Sequence, residues 1–347
     1  MFIVLSSSYP IIFTVFKQLP TIPSTHTGIQ DYYFIFHLSW IIINLVSQQG
    51  LAKKQENEEY RMNYTTLNNG VKMPMVGFGV FQIPDMDECQ AVVEEAIRVG
   101  YRLFDTAQVY GNEEAVGKAI KASGVPREEF FITTKLWISD FSYEGAKAAF
   151  AESLRKLDMD YVDLYLLHQP VGDVFGAWRA MEELYKEGKI RAIGVSNFMP
   201  DQLANLALFN EVTPALNQIE LHVFNQRNNE VAYFEDKGVV TESWGALAAG
   251  QFDVFTNPVL TEIGDKYGKT TSQVMLRWHL QRGLVSLAKS VTPARIQANF
   301  DIFDFELTDE DMAKIAALNT DTTLFEDYHA PASVETLAGF LGKSFDK

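Results

Sequence analysis

Four residues of this chain have types and positions suited to proton transfer. Asp105 closes the apolar run YRLFD (101–105) and Tyr110 follows five residues later. Lys135 lies near the end of FFITTKL (130–136), and His168 closes YVDLYLLH (161–168). Tyrosine, with a pKa near 10, is a poor acid at neutral pH on its own. A neighbouring ammonium stabilises the phenolate and lowers that pKa. Lys135 can supply the ammonium, Asp105 can hold it as an ion-pair partner, and His168 can orient a substrate oxygen by a hydrogen bond. No serine, cysteine or threonine is arranged with a base, so covalent catalysis is not suggested. The histidines fall at 26, 37, 168, 222, 279 and 329, without metal-ligand spacing, and no metal is expected. An acid without nucleophile or metal suits protonation of an oxyanion as a hydride arrives, and the hydride must come from a cofactor.

These residues need elements that carry them to one place. Eight short apolar runs divide the chain after Met75: 75–79, 101–105, 130–136, 161–168, 190–197, 214–221, 238–244 and 283–290. Helix-period segments alternate with them, among them DECQAVVEEAIRVG, YEGAKAAFAESLRKL and VFGAWRAMEELYKEG, the last ending at Gly188 as a C-terminal stop. Strands alternating with helices over about 250 residues predict a parallel (β/α)8 TIM barrel in the α/β class. A doubly wound sheet is the alternative, but its Gly-rich first turn is missing, since GFGVFQ has no third glycine. Asn68-Asn69-Gly70 predicts a β-hairpin ahead of the first strand.

In such a barrel the site lies at the C-terminal strand ends. Those ends carry Asp105, Lys135, His168, Ser196-Asn197, Asn217-Gln218, Trp244 and Lys289-Ser290. Trp178, Met181 and Met275 sit on helical faces and read as packing, and Cys89, also in a helical pattern, as an inert thiol. Glu220 and His222 read as supports of the barrel rim. The stretch LAKSVTPARIQANF (287–300) adds a cofactor signal. Thr292-Pro293 reads as N-cap and first turn of a helix. A helix N-terminus flanked by Lys289 and Arg295 is a phosphate site.

Composition narrows the partners. Asp and Glu number 45 against 29 Lys and Arg, a net charge of −16, so the chain lacks the electrostatic footprint for nucleic acid. Cys89 is the single cysteine, which rules out an intrachain disulfide and suits a cytoplasmic location.

The motifs GYRLFDTAQVYGNEEAVG (100–117), TKLW (134–137), LLHQP (166–170), GVSNF (194–198), NQIE (217–220) and AKSVTPARIQANF (288–300) together resemble the aldo-keto reductases. The likeness runs from residue 62 to about 335. It is strongest to the bacterial branch with 2,5-diketo-D-gluconic acid and methylglyoxal reductases. The resemblance implies reduction of a small-molecule aldehyde or ketone by NADPH, on a barrel that works as a monomer. It makes Tyr110 the proton donor, Lys135 and Asp105 its pKa partners, and His168 the substrate-orienting residue. It makes Ser196, Asn197 and Gln218 the carboxamide contacts of the nicotinamide and Trp244 its stacking aromatic. A loop from Gly245 through Leu247 to Gly250 would cross the pyrophosphate. Lys289, Ser290 and Arg295 would clamp the 2′-phosphate, and Asn299 would touch adenine. Phe81, Val109, Trp137 and Gln169 would join Tyr110 and His168 in lining the substrate pocket, although Phe81 and Trp137 also read as plain core aromatics. The resemblance implies a C-terminal tail over the site, with Tyr328 and His329 within reach. Departures are Phe81, where many members carry Trp, Gln169, where the vertebrate branch has Trp, the loop SWGALAAG (243–250), and Ala298, where an acidic or amide residue is common. A non-catalytic, NADPH-binding redox sensor is the alternative reading.

Residues 1–61 differ in character from the barrel sequence, with apolar runs joined by Pro-, Thr- and Ser-rich sequence. MFIVLSSSYP lacks the basic residues of a secretory signal. The apolar run Tyr32–Val46 is shorter than the roughly 20 residues of a membrane span and is broken by His37, Ser39 and Asn44, so no span is expected. A tether through that run is the competing reading. Met62 opens a clean domain start, and Glu58-Glu59 would be encoded by purine-rich codons of ribosome-binding character. The expectation is that translation starts at Met62. Intact mass of the protein from its native source should then lack residues 1–61, and a mass that includes them would overturn it.

Overall fold

The structure is a computed structural model that describes residues 64–324, 327–328 and 330–343. The expectations for residues 1–61, for Met62 and for His329 lie outside the described residues. Eight parallel strands close into a barrel in the order β10-β3-β4-β5-β6-β7-β8-β9. They are β3 (Val76–Gly79), β4 (Leu103–Asp105), β5 (Phe131–Leu136), β6 (Val162–Leu167), β7 (Ile190–Ser196), β8 (Leu216–Glu220), β9 (Val240–Trp244) and β10 (Val285–Ala288). Each falls inside one of the eight predicted runs. β5, β6 and β8 are buried along their whole length, the pattern of parallel strands covered on both faces.

The helices cover the outside. α1 (Met86–Val99) shows why these segments are helical. Asp85 caps it by accepting from the Glu88 N–H, and Cys89, Val92, Val93, Ala96 and Ile97 fall on one buried face at helical spacing. Gly100 ends it with φ 127°, a conformation that a side chain would strain. Among the described residues α2 (Glu113–Ala122), α3 (Tyr143–Leu157), α4 (Val174–Lys186), α5 (Pro200–Leu208) and α6 (Asn228–Asp236) follow. After them come α7 (Pro258–Tyr267), α8 (Thr271–Gln281), α9 (Pro293–Phe300), α10 (Asp309–Ala316) and α11 (Pro331–Gly339). Trp178, Met181 and Met275 are core residues, as expected. Burial, with Glu88 beside it, pushes the Cys89 thiol up to about 11, so it is inert. No helix among the described residues is long and apolar enough to cross a membrane.

Strand alternation layers the barrel interior. A period of two brings Leu103 below Asp105 on β4, Phe131 below Lys135 on β5, and Leu216 below Gln218 on β8. The lower residues join Leu164, Leu166 and Leu287 in one apolar cluster. A Cβ on Gly77 would stand 2.5 Å from Leu287 and 2.6 Å from Leu103, so the missing side chain makes room for both leucines. The predicted hairpin, β1 (Tyr64–Thr66) against β2 (Lys72–Pro74), supplies Leu67 and Met73 to this cluster. Its turn is held by Asn68 Nδ2 donating to the Pro214 carbonyl and Asn69 Nδ2 to that of Arg191.

The hairpin should therefore be a stability element remote from the strand ends. Met73→Ala, at a fully buried position, should cost about 2–5 kcal/mol in denaturant unfolding. A cost below about 1 kcal/mol would mean that the hairpin is not part of the cooperative unit.

Candidate active site

Above the apolar layer lies a single buried ammonium. Lys135 is fully buried, and its Nζ donates to Asp105 Oδ1 at 2.5 Å, to the Thr106 carbonyl at 2.9 Å and to the Tyr110 hydroxyl at 3.4 Å. Register explains the meeting, because Asp105 pairs with Thr133 and Lys135 lies two residues further up on the same interior face. Tyr110 ends a one-turn 3₁₀ helix, Gln108–Tyr110, that both flanks pin. Gln108 donates to Asp140 Oδ2 at 2.6 Å and accepts from the Trp137 N–H at 2.9 Å. Buried Asn112 accepts from Thr106 Oγ1 at 2.9 Å and donates to the carbonyls of Val80 and Ile83. The sequence reading gave Gln108 and Asn112 no role; the polar residues on either side of Tyr110 were the available signal.

His168 completes the group of four. It meets the Tyr110 ring edge-on, with centroids 5.7 Å apart, and the Trp137 ring at 5.0 Å. Burial, then the charge of Lys135, push its pKa well below the ordinary range, so the imidazole is neutral at pH 7. Its Nδ1 is buried without a partner among the described residues, which leaves Nε2 as the edge for a ligand.

Tyr110 departs from the sequence argument. Lys135 does pull the phenol pKa down, but burial pushes it up further, with Asp105 and Glu242 adding to the rise. The net shift is upward, because burial of the phenol outweighs the pull of the ammonium. Burial also works against the charge of Lys135, but Asp105, Tyr110 and Glu242 outweigh it and hold its pKa above the ordinary value. Tyr110 is thus a protonated phenol facing a permanent ammonium.

Glu242 is the residue that a reading of strand ends misses. It lies one alternation below Trp244 on the same interior face. Gln218 Nε2 donates to Asp105 Oδ2 at 2.9 Å and to Glu242 Oε2 at 2.7 Å. Burial, then the Asp105 charge, push the Glu242 carboxyl up to about 8.

The residues expected around a nicotinamide are neighbours. Asn197, left-handed at φ 66°, donates through Nδ2 to the His168 carbonyl at 3.1 Å and to Gln169 Oε1 at 3.3 Å. Trp244 Nε1 donates to Asn197 Oδ1 at 2.8 Å, which fixes the plane of the indole. Ser196 Oγ donates to the Gln218 carbonyl at 3.0 Å. Both Nε2 hydrogens of Gln218 go to carboxylates, so its side-chain oxygen, Oε1, is the end left for a ligand. Beyond Trp244 the loop is left-handed at Gly245, Ala248, Ala249, Gly250, Phe252 and Asp253, with Leu247 half-buried among them. Non-glycine residues held there are strained, a feature that clusters at ligand-binding loops.

The phosphate-site residues gather at α9. Pro293 opens that helix, as predicted, but Thr292 makes no side-chain cap bond, and its N–H donates instead to Ser290 Oγ at 3.1 Å. The first N–H groups of α9 thus lack a side-chain acceptor. Lys289 and Arg295 are exposed and form no ion pair among the described residues, while Asn299 is buried on the same helix. An uncapped helix start with two uncommitted cations fits a phosphate.

Gln169 is buried behind His168, where it holds Asn197. Phe81 packs against Tyr110 at 4.9 Å while 53% exposed, and Val109 is also exposed, so both stand on the rim rather than in the core. Trp137 faces Phe340 of the C-terminal segment at 6.3 Å, a residue the sequence reading did not single out. Tyr328 is buried in the core. Glu220 and His222 are rim supports: Glu220 accepts from Thr323 Oγ1 at 2.6 Å, from the Leu324 N–H at 2.7 Å and lies 3.0 Å from His222 Nε2. Burial would raise the Glu220 pKa, but these bonds outweigh it and hold the carboxyl below its ordinary range.

Removing the ammonium should strand a buried carboxylate. Lys135→Met should lower stability by about 3–5 kcal/mol at neutral pH, and Lys135→Met/Asp105→Leu should recover part of that loss. Equal stability of Lys135→Met and the parent would contradict a compensated buried pair.

Known proteins resemble this chain over the barrel. The aldo/keto reductase family model matches residues 75–320. The chain is 50% identical to the glyoxal reductase of Bacillus subtilis over 256 residues, covering 74% of this chain and 92% of that protein. It is 46% identical to the methylglyoxal reductase DkgA of Escherichia coli (strain K12) over 264 residues, covering 75% and 95%. A crystal structure of an aldo/keto reductase from Brucella melitensis superposes with TM-score 0.71 at 45% identity, covering 74% of this chain and 99% of the other. With its closed barrel and these matches, the chain belongs to the aldo/keto reductase family.

Proposed function

We propose that this protein reduces an aldehyde or ketone to the alcohol with NADPH, and that Tyr110 supplies the proton. Membership of the family makes it an oxidoreductase of carbonyl groups, and such enzymes are generally nicotinamide-dependent. The finer reading rests on one observation: a protonated, partly buried phenol lies 3.4 Å from a buried ammonium and edge-on to a neutral imidazole. His168 Nε2 and the Tyr110 hydroxyl can hold the carbonyl oxygen between them. When bound, NADPH supplies the hydride that the carbonyl carbon takes up. As negative charge develops on the oxygen, the Tyr110 proton moves to it and the phenolate charge faces Lys135 Nζ. Asp105 keeps the ammonium in place, so no large reorganisation accompanies the transfer.

Ser196, Asn197, Gln218 and Trp244 would hold the nicotinamide, and the loop through Gly245 and Leu247 would cross the pyrophosphate. Lys289, Ser290 and Arg295 would take the 2′-phosphate, with Asn299 toward adenine, which favours NADPH over NADH. The exposed Phe81, Val109 and Phe340, with half-buried Trp137, suit the apolar part of a small carbonyl compound. The names of the relatives put glyoxal and methylglyoxal first among substrates to try. A buried, unpaired thiol at Cys89 suits the cytoplasm.

Two variants test this reading. Tyr110→Phe should lose about 10²–10⁴-fold in kcat with little change in NADPH affinity, and an undiminished kcat would remove Tyr110 as the acid. Arg295→Ala should weaken NADPH binding by about tenfold or more, near 1.4 kcal/mol, and leave NADH binding unchanged. Equal losses for both cofactors would place the 2′-phosphate elsewhere. NADPH binding without turnover of any carbonyl would favour the redox-sensor reading.

A further inference from the structure

The proposed mechanism uses one buried carboxylate, but the layer around Lys135 holds a second. Glu242 projects from β9 into the layer that contains Asp105 and Lys135, and it stands directly across the sheet from Gln218 on β8. The Gln218 amide nitrogen is shared between the two carboxyl groups. The second oxygen of Glu242, Oε1, is buried and has no partner among the described residues. The charged and titratable groups facing it are Asp105 from β4, Lys135 from β5 and the Tyr110 phenol, and β8 offers only the neutral amide. Its register neighbour on β10 is Val285, which carries no charge. One ammonium thus stands against two carboxyl groups. With both ionised the site would already be net negative before Tyr110 gave up its proton. An ionised carboxylate with an orphaned buried oxygen is also costly, whereas the neutral acid needs less solvation.

We infer that Glu242 is a positioning residue for the acid step: in its neutral form it lets the Tyr110 proton leave, and its ionisation shuts that proton transfer down. The inference rests on Tyr110 as proton donor. It gives the reduction an alkaline limb that belongs to Glu242 rather than to Tyr110, whose phenol loses its proton at higher pH. Through Gln218, Glu242 also fixes the direction of the amide that would meet the cofactor.

The test uses the full chain and three measurements. With NADPH and methylglyoxal, kcat of the parent should fall about tenfold per pH unit on the alkaline side, as for loss of one essential proton. In Glu242→Gln and in Glu242→Met, two neutral side chains with different hydrogen bonding, that limb should move up by at least about one pH unit. The same limb in parent and both variants overturns the inference. The second measurement is the thermal midpoint. A carboxyl held neutral by folding contributes stability that is full below the ordinary glutamate pKa of about 4.3 and is lost as pH rises through the folded value. The midpoint of Glu242→Gln should therefore gain on the parent between about pH 5 and about pH 9, and a gap that stays constant overturns the neutral assignment. If Glu242→Gln fails to fold, Glu242→Met serves both measurements. The third is the phenolate absorbance of apoprotein, taken as the difference from Tyr110→Phe. Tyr110 should ionise at lower pH in Glu242→Gln than in the parent, and identical titrations overturn the coupling. The last two measurements need no turnover, so they decide the role of Glu242 even if carbonyl reduction is absent.

Discussion

The fully buried ammonium of Lys135 is the constraint around which the upper half of the barrel is arranged. An isolated ammonium in such a place is too costly to survive ionised, and the geometry must supply its compensation. Asp105 does so directly, the Thr106 carbonyl adds a second acceptor, and Tyr110 takes the remaining direction. Each comes from the β4 end or the turn that follows it, so the reach of one lysine from the neighbouring strand fixes where that turn must lie. Asn112 and Gln108 then hold the turn against β3 and β5. The same charge also acts outward, because it is the second cause, after burial, that keeps His168 neutral.

Stability and chemistry are separated by height in the barrel. The lower layer of Leu103, Leu164, Leu166, Leu216 and Leu287 is one apolar cluster with Leu67 and Met73 of the hairpin. The layer above carries Asp105, Lys135, Gln218 and Glu242, each costly to bury and each bonded to another member. This arrangement places the polar groups where one end opens to the strand-end loops. A polar network within a dense apolar surround also feels a lower dielectric, which strengthens the effect of each charge on its neighbours.

Most of this was legible in the sequence because its causes are periodic. Eight apolar runs separated by helix-period segments gave the barrel, and the strands fall inside those runs, with ends trimmed where hydrogen bonding stops before hydrophobicity does. The end residues Asp105, Lys135 and His168 could be read because a strand end is a fixed place in this architecture. Glu242 was missed because it sits one alternation deeper, in GVVTESW, where a single carboxylate has no sequence signal until the facing Gln218 is known. Phe340 was missed for a different reason. Its contact with Trp137 spans 203 residues of sequence, and no local pattern reports where a tail returns. The expected lowering of the Tyr110 pKa failed on magnitudes. Sequence names the lysine beside the tyrosine, but not how far burial of the phenol outweighs its pull.

The cofactor side follows a different logic from the acid side. Around Lys135 the polar atoms are mutually satisfied. Around α9 they are left open, with an N-terminus that its own threonine does not cap and two cations without ion pairs among the described residues. In a chain of net charge −16 an exposed lysine and arginine have many carboxylates to pair with, and among the described residues these two form no ion pair. The left-handed Ala248, Ala249, Phe252 and Asp253 point the same way, since non-glycine residues in that region cost of order 1–3 kcal/mol each and persist where the surroundings impose them. Between the two sides stands Asn197, also left-handed, bonded at once to Trp244, Gln169 and the His168 carbonyl. It ties the plane that a nicotinamide would stack on to the strand end that orients the substrate. That amide links cofactor placement to the substrate-orienting strand end, and Gln218, bonded to Asp105, makes the corresponding link to the acid group.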